Sequence, residues 1–350
     1  MLYGRVMPRA FITGLSGLTI STEERAFLRE SNPWGLILFA RNVQIPQQVA
    51  DLVAEFRKIV GRADAPVLID QEGGRVQRLG PPHWPKYPSG VAFKGLYDAN
   101  QGLALATLKL GTTLIGSDLA ALGITVDCLP VADIPVAGAD SVIGDRAYGD
   151  TAEAVAALAG AAAEGLMEAG VLPVLKHIPG HGRATADSHK ALPVVDTDRN
   201  TLERTDFAPF RALAYLPMAM TAHVVFTAYD ARLPATTSRT MIDQVIRGLI
   251  GFNGLLMSDD VSMEALTGTL GDRTAAALAA GCDVALHCNG KMNEMREVAA
   301  NAPELSGAAR DRAEKARAAR RKPKPFDVVQ ARAAFAQQLA QAEAPQVSRA

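Results

Sequence analysis

Val171-Leu172-Pro173-Val174-Leu175-Lys176-His177-Ile178-Pro179-Gly180-His181-Gly182-Arg183-Ala184-Thr185-Ala186-Asp187-Ser188-His189 runs from an apolar stretch directly into a dense polar one. Its first five residues read as a buried parallel strand. Pro179, Gly180 and Gly182 end that strand and open an irregular loop. Positions 176–189 hold three of the chain's six histidines, with a lysine, an arginine and an aspartate. Titratable groups gathered just past the carboxyl end of a buried strand are where barrels and open α/β sheets carry chemistry.

Outward from that stretch, short apolar β-branched runs alternate with Ala-rich segments of helical period. Upstream strand candidates are Ala10–Thr13, Gly35–Phe39, Pro66–Asp70 and Ile124–Leu129. Val171–Leu175 is followed by Met218–His223, Gly254–Asp259 and Asp283–His287, which makes eight. Helices are expected over Pro46–Val60, Gly102–Leu122, Ala152–Ala169, Met241–Ile250 and Thr274–Ala280. Pro46 suits a first helical turn, where a missing N–H has no intrahelical partner to lose. Eight strand–helix repeats predict an α/β fold, a (β/α)8 TIM-type barrel in a single domain over residues 1–302. A doubly wound sheet is the alternative, but no Gly-rich phosphate fingerprint follows the first strand. Residues 303–350 are rich in Ala, Arg, Lys and Gln. They predict a helical extension packed on the barrel, with a frayed end.

The polar residues fall at strand ends. Asp70, Asp127, Lys176, His177, His223, Asp259 and His287 each sit at or near the end of an apolar run. In a barrel these positions are expected to form one ring at the carboxyl face, which points to an enzyme.

Composition narrows the partners. With 48% hydrophobic and 21% charged residues, the chain can bury a substantial core. A net charge of −1 argues against nucleic acid. Cys128, Cys282 and Cys288 are odd in number and lack CxxC spacing, against a disulfide framework or thiolate metal site. Free cysteines suit a reducing compartment. The opening residues, Met1 to Pro8, lack a signal-peptide core, and no uncharged apolar stretch reaches membrane-spanning length. The expectation is a cytoplasmic protein with no membrane partner.

Three further stretches could carry chemistry. Asp70-Gln71-Glu72-Gly73-Gly74-Arg75-Val76-Gln77-Arg78 sets two carboxylates and two arginines around a glycine pair. It could bind sugar hydroxyls and ligand oxygens, or be a salt-bridged turn. In Ser141–Gly149, Arg146 could point into the site or pair with Asp145 on the surface. In Met257-Ser258-Asp259-Asp260-Val261-Ser262-Met263, period two sends the two aspartates to opposite faces, one into the ring and the other to cap the following helix. His177-x3-His181 has zinc-like spacing, with Asp187 or Asp259 available to complete a shell. Pro179 and Gly180 inside that spacing make it a poor helical pair, so no metal site is expected.

Lys176-His177-Ile178-Pro179-Gly180-His181-Gly182 through Asp187-Ser188-His189 resembles the signature of family 3 glycoside hydrolases, and within it the β-N-acetylhexosaminidases that trim N-acetylglucosamine from peptidoglycan fragments. The Asp70–Arg78 and Met257–Met263 stretches resemble two more of its motifs, in order, so the likeness spans about Gly35 to Gly290. The resemblance implies Asp259 as nucleophile and His189 as acid/base with Asp187 as its partner. It implies that Asp70, Arg78, Arg146, Lys176 and His177 hold the sugar, and that no metal or organic cofactor is needed. Ile178 and Val261 depart from the usual Phe and Leu. Family members that cleave plain glucosides carry a second domain supplying a Glu acid; 350 residues leave no room for one, in keeping with the one-domain branch.

The activity this implies is retaining exo-β-N-acetylglucosaminidase cleavage of GlcNAc-anhydroMurNAc peptides through a glycosyl-aspartate. The alternatives are a phosphorylase using phosphate as acceptor, a metal-dependent hydrolase, and a catalytically dead sugar-binding barrel. The expected partner is a small carbohydrate or muropeptide, and the expected state a monomer or weak homo-oligomer. The 183–188 segment is expected to move, closing His189 over the leaving oxygen when sugar is bound.

Overall fold

Eight parallel strands close on themselves: β1 Arg9–Thr13, β2 Pro33–Leu38, β3 Val67–Ile69, β4 Val126–Asp127, β5 Leu172–Ile178, β6 Met218–Thr221, β7 Leu255–Asp260 and β8 Val284–His287. This computed structural model describes residues 7–343. Each strand pairs with its sequence neighbour, and β8 returns to β1 in the register Phe11↔Ala285 and Thr13↔His287. All eight expected strands are present, with shifted ends. β4 is shorter than Ile124–Leu129, although Cys128 N–H still donates to the Ile69 carbonyl at 2.8 Å and the Leu129 carbonyl accepts from Val174 N–H at 2.9 Å. β5 runs on to Ile178 because its backbone still pairs there: Lys176 N–H donates to the Pro130 carbonyl at 3.0 Å, and Ala132 N–H to the Lys176 carbonyl at 2.7 Å.

Side chains alternate along every strand. Ala10 and Ile12, Leu172 and Val174, Met218 and Met220, Leu255 and Met257, and Val284 and Leu286 form the buried interior of the barrel. Their neighbours, Phe11, Val67, Leu175, Ala219, Leu256 and Ala285, belong to the second apolar layer, against the helices. Continuing the inward rows by two residues reaches Asp70 after Leu68, Lys176 after Val174, and Asp259 after Met257. The strand period therefore delivers these three side chains to the mouth.

Helix Pro46–Val60 has the expected bounds. Gln101–Ala121, Ala152–Glu168 and Met241–Leu249 differ from expectation by a residue at their ends, the last being wound as a π-helix, and Leu270–Ala280 begins four residues earlier. By length and composition alone Gln101–Ala121 is long and apolar enough to cross a membrane, though it is not an uncharged stretch. In the fold it packs along Ala152–Glu168, and Lys109 and Asp118 sit within it.

The chain after 302 returns to the amino-terminal ends of the strands. Ala10 N–H donates to the Pro303 carbonyl at 2.8 Å, and Leu305, Ala313 and Ala316 join the barrel's interior cluster. Helix Gly307–Ala318 is tied there by Arg312 to Asp283 and followed by Arg320, whose Nε donates to the Gly170 carbonyl at 2.7 Å. Helix Val328–Glu343 seats Phe335 against Gly111 and Tyr87. Its Arg332 reaches Asp118, which also accepts from the Tyr87 hydroxyl. The end expected to fray, residues 344–350, and the first six residues lie outside the described part of the chain.

Candidate active site

The floor of the mouth is a chain of alternating charges. Lys176 Nζ lies 2.9 Å from Asp70 Oδ1 and 2.7 Å from Glu72 Oε1. Arg78 donates through Nη2 to Asp70 Oδ2 at 3.2 Å. Arg146 grips Glu72 with two parallel bonds, Nε to Oε2 at 2.9 Å and Nη2 to Oε1 at 2.8 Å. Such bidentate pairs fix geometry as well as charge. Burial, the largest single influence, would raise both carboxyls, but Lys176 together with Arg78 at Asp70, and with Arg146 at Glu72, more than offsets it. Asp70 is held well below the usual carboxylate range and Glu72 down to about 2. Burial pushes Lys176 the other way, and Asp70 and Glu72 prevail, so its ammonium is held above its ordinary value. The turn carrying Glu72 needs its glycines. Gly73 and Gly74 adopt φ +95° and +57°, and a Cβ on them would run into Pro88 and Ser89.

A second group centres on Asp133, fully buried after β4. Its Oδ2 lies 2.7 Å from His177 Nδ1, and its Oδ1 accepts from the His181 backbone N–H at 2.7 Å. His177 thereby has one ring nitrogen committed and the other free for a ligand. Beside it, burial and the nearby His177 lower the His181 imidazole to about 4, so it is neutral at physiological pH. His181 Nε2 lies 3.0 Å from Ser188 Oγ, a buried residue between Asp187 and His189.

Asp259 ends β7. Burial would raise its carboxyl, but His223 and His177, the Asp260 N–H at 2.7 Å and more weakly His189 together hold it low. It is an ionised carboxylate over an apolar barrel, the state a nucleophile needs. Asp260 faces away, as period two requires. It caps a turn rather than the following helix, accepting from Ser262 N–H at 3.0 Å and Oγ at 2.8 Å; helix Leu270–Ala280 is capped by Thr269. The turn at 261–266 lengthens the connection, so the helix starts too late for Asp260 to reach it.

At the rim, His189 is 65% exposed and its Nδ1 sits 2.8 Å from Asp187 Oδ1. Bonds from the His189 N–H and ring outweigh burial and keep the Asp187 carboxyl low. An ionised Asp on Nδ1 leaves Nε2 to exchange a proton with a ligand. Their loop is anchored more firmly than its sequence suggests: Ala184 is 1% and Ser188 2% exposed, and Arg183 binds Asp206 through two nitrogens.

Thus Asp70, Arg78, Arg146 and Lys176 meet in one network, His177 and Asp259 flank it, and Asp187 and His189 pair above. Arg146 takes Glu72 as partner, while Asp145 goes to Arg75 at 2.7 Å. Two members of the expected ring do not join. Asp127 alternates with the inward Val126 and Cys128, so it points outward; burial raises its carboxyl, and one oxygen has no partner among the described residues. His287 follows the inward Leu286 and turns to Glu294 at 3.3 Å, and among the described residues its Nδ1 has no partner. His223 lies below the site, bonded to Thr236 and to the Asp260 carbonyl. Asp133 was not singled out from the sequence; its one signal is an aspartate in the buried run Pro130-Val131-Ala132-Asp133. His177 and His181 pack edge to face, 5.7 Å between ring centres, and among the described residues no group of three or more His, Cys, Asp or Glu is placed to hold a metal.

Residues 6–318 match the glycosyl hydrolase family 3 N-terminal domain. The β-hexosaminidase of Alkalilimnicola ehrlichii is 40% identical over 293 residues, which cover 83% of this chain and 82% of that protein. That of Pseudomonas aeruginosa is 37% identical over 84% of this chain and 86% of its own. Among solved structures, NagZ from Neisseria gonorrhoeae in complex with N-trifluoroacetyl-D-glucosamine superposes with a TM-score of 0.83 at 29% identity, covering 96% of this chain and 97% of that one. With motifs, fold and relatives agreeing, the chain belongs to glycosyl hydrolase family 3, in its one-domain β-N-acetylhexosaminidase branch.

Proposed function

We propose that the protein is a cytoplasmic, retaining exo-β-N-acetylglucosaminidase that removes terminal GlcNAc from peptidoglycan-derived fragments. The observation that carries the reading is an ionised Asp259 beside a floor of Asp70, Arg78, Arg146, Lys176 and His177, with the Asp187–His189 pair above. The floor groups hold the sugar: Asp70 accepts from its hydroxyls, while Lys176, His177 and the arginines donate to its oxygens. Asp259 attacks the anomeric carbon as His189, carrying a proton, gives it to the departing oxygen. The same imidazole then takes a proton from water, and the oxygen of that water displaces Asp259. Asp187 fixes the tautomer and the orientation of the ring. Residues 1–302 supply this machinery, and 303–350 act as a supporting extension.

The test is a panel of aryl β-glycosides (GlcNAc, GalNAc, glucose, xylose), assayed with and without phosphate, followed by trapping with a slow fluorosugar. GlcNAc should be preferred, phosphate should leave the rate unchanged, and the label should fall on the Asp259 peptide. Acceleration by phosphate with a sugar phosphate product would make the enzyme a phosphorylase, and a label elsewhere would refute the nucleophile.

A further inference from the structure

Beyond the sugar-holding groups, the mouth carries a further arginine whose charge no carboxylate among the described residues takes up. Phe39 follows β2, and its ring lies beneath two guanidinium groups, Arg78 at 5.3 Å and Arg41 at 4.8 Å from the ring centre. Arg78 is committed to Asp70. Arg41 is exposed, and its hydrogen bonds go to main-chain carbonyls: Nε to Leu15 at 2.7 Å, after β1, and Nη2 to Cys288, after β8. Among the described residues nothing accepts from its Nη1. The acids near enough to feel its charge, Asp260 and Glu24, are engaged elsewhere. Asp260 takes Ser262 and the Cys288 N–H, and Glu24 takes Ser16 and the Ser21 N–H. The two carbonyl bonds hold the guanidinium in place, with its remaining N–H groups available. Stacking on Phe39 stiffens it further.

We infer that Arg41 is a carboxylate-binding residue of the leaving-group subsite, selecting substrates whose aglycone carries a negative charge near the scissile bond. This rests on the function proposed above and deepens it. A pre-positioned planar fork with free donors is matched to a carboxylate. A neutral sugar in the same place would gain far less from it. The placement also fits an exo enzyme: the terminal sugar fills the floor at Asp70 and Lys176, so what projects over the β1, β2 and β8 rim is the remainder of the substrate.

The test compares one disaccharide in two forms, GlcNAc β-1,4-linked to MurNAc with its lactyl carboxylate free, and the same compound as the lactyl methyl amide. Wild type should favour the acid through KM, and the preference should shrink as sodium chloride is raised, because an exposed charge pair is screened. Arg41→Gln should lower kcat/KM on the acid by about ten-fold more than on the amide, as expected for one lost charged hydrogen bond. Arg41→Lys should restore part of that difference. Equal losses on both forms would mean that Arg41 only clamps the loops at Leu15 and Cys288, and would overturn the inference. So would a wild-type enzyme indifferent to acid and amide, a result that needs no variant to fold. Failure of the wild type on aryl β-N-acetylglucosaminide would instead sink the functional reading, and this inference with it.

Discussion

Glu72 shows how much one buried side chain can organise. It was legible only as a carboxylate in a motif, yet in the fold it joins Arg146 to Lys176 and so aligns two of the groups proposed to hold the sugar. Its carboxyl sits near 2, against an ordinary 4.5. A depressed acid stabilises the fold while the unfolded chain is also ionised, above about 4.5, and that contribution disappears as pH falls toward 2. Glu72→Gln should therefore cost about 3 kcal/mol near neutrality, from the size of the shift. The gap to wild type should close progressively between those two pH values. Melting temperatures of both proteins across the acid range check this. A gap that stayed constant through that window would mean the side chain's shape, not its charge, is what the fold uses.

The loop after β5 is the element on which the proposed chemistry turns. Its composition suggested a segment free of the core, because Gly, Ala and Thr there show no apolar period. The fold divides it instead. Ala184 and Ser188 are buried and His189 stands out at 65% exposure, a split that no periodicity could have disclosed because it depends on His181 meeting Ser188. His189 is thus tethered from beneath by its neighbour and oriented from the side by Asp187. If it serves as the acid, its removal should matter in proportion to how badly the leaving group needs a proton. His189→Ala should lose several orders of magnitude on alkyl or sugar aglycones and far less on nitrophenyl ones, where slow breakdown of the glycosyl-enzyme should leave a burst. Asp187→Ala should move the same way, by no more. Turnover against leaving-group acidity gives the slope. A uniform loss along the series would make His189 a binding residue, and the acid would have to be sought elsewhere than Glu72, whose carboxylate Lys176 and Arg146 keep ionised.

At the scale of the whole molecule, the barrel and most of its site could be read from strand ends, and what could not was decided by facing. Lys176 and Asp259 continue inward rows and enter the site, while Asp127 and His287, equally placed in sequence, fall on outward rows and leave it. Telling them apart requires the register of each strand, which a two-residue β4 does little to fix from sequence. Asp133 was hidden for another reason: it lies beyond the strand, and only the return of β5 brings His177 to it. The same segregation separates chemistry from stability along the barrel axis. Asp283 stands at the opposite end from the site and is 2% exposed. It accepts two bonds from Arg312 (Nε to Oδ2 at 3.0 Å, Nη2 to Oδ1 at 2.8 Å), with Arg247 at 3.1 Å and the Leu256 N–H at 2.9 Å. It pins both β7 and helix Gly307–Ala318. Asp283→Asn keeps the shape but strands two arginines, which should cost about 3 kcal/mol and lower the melting temperature on the order of 5 °C. Because no charge changes near Asp259, kcat and KM on an aryl β-N-acetylglucosaminide at 25 °C should stay within about two-fold of wild type. Melting and steady-state kinetics on one preparation test both halves together. A variant that kept its melting temperature, or lost turnover while still folded, would show that the two ends of the barrel are coupled in a way this division of labour does not allow.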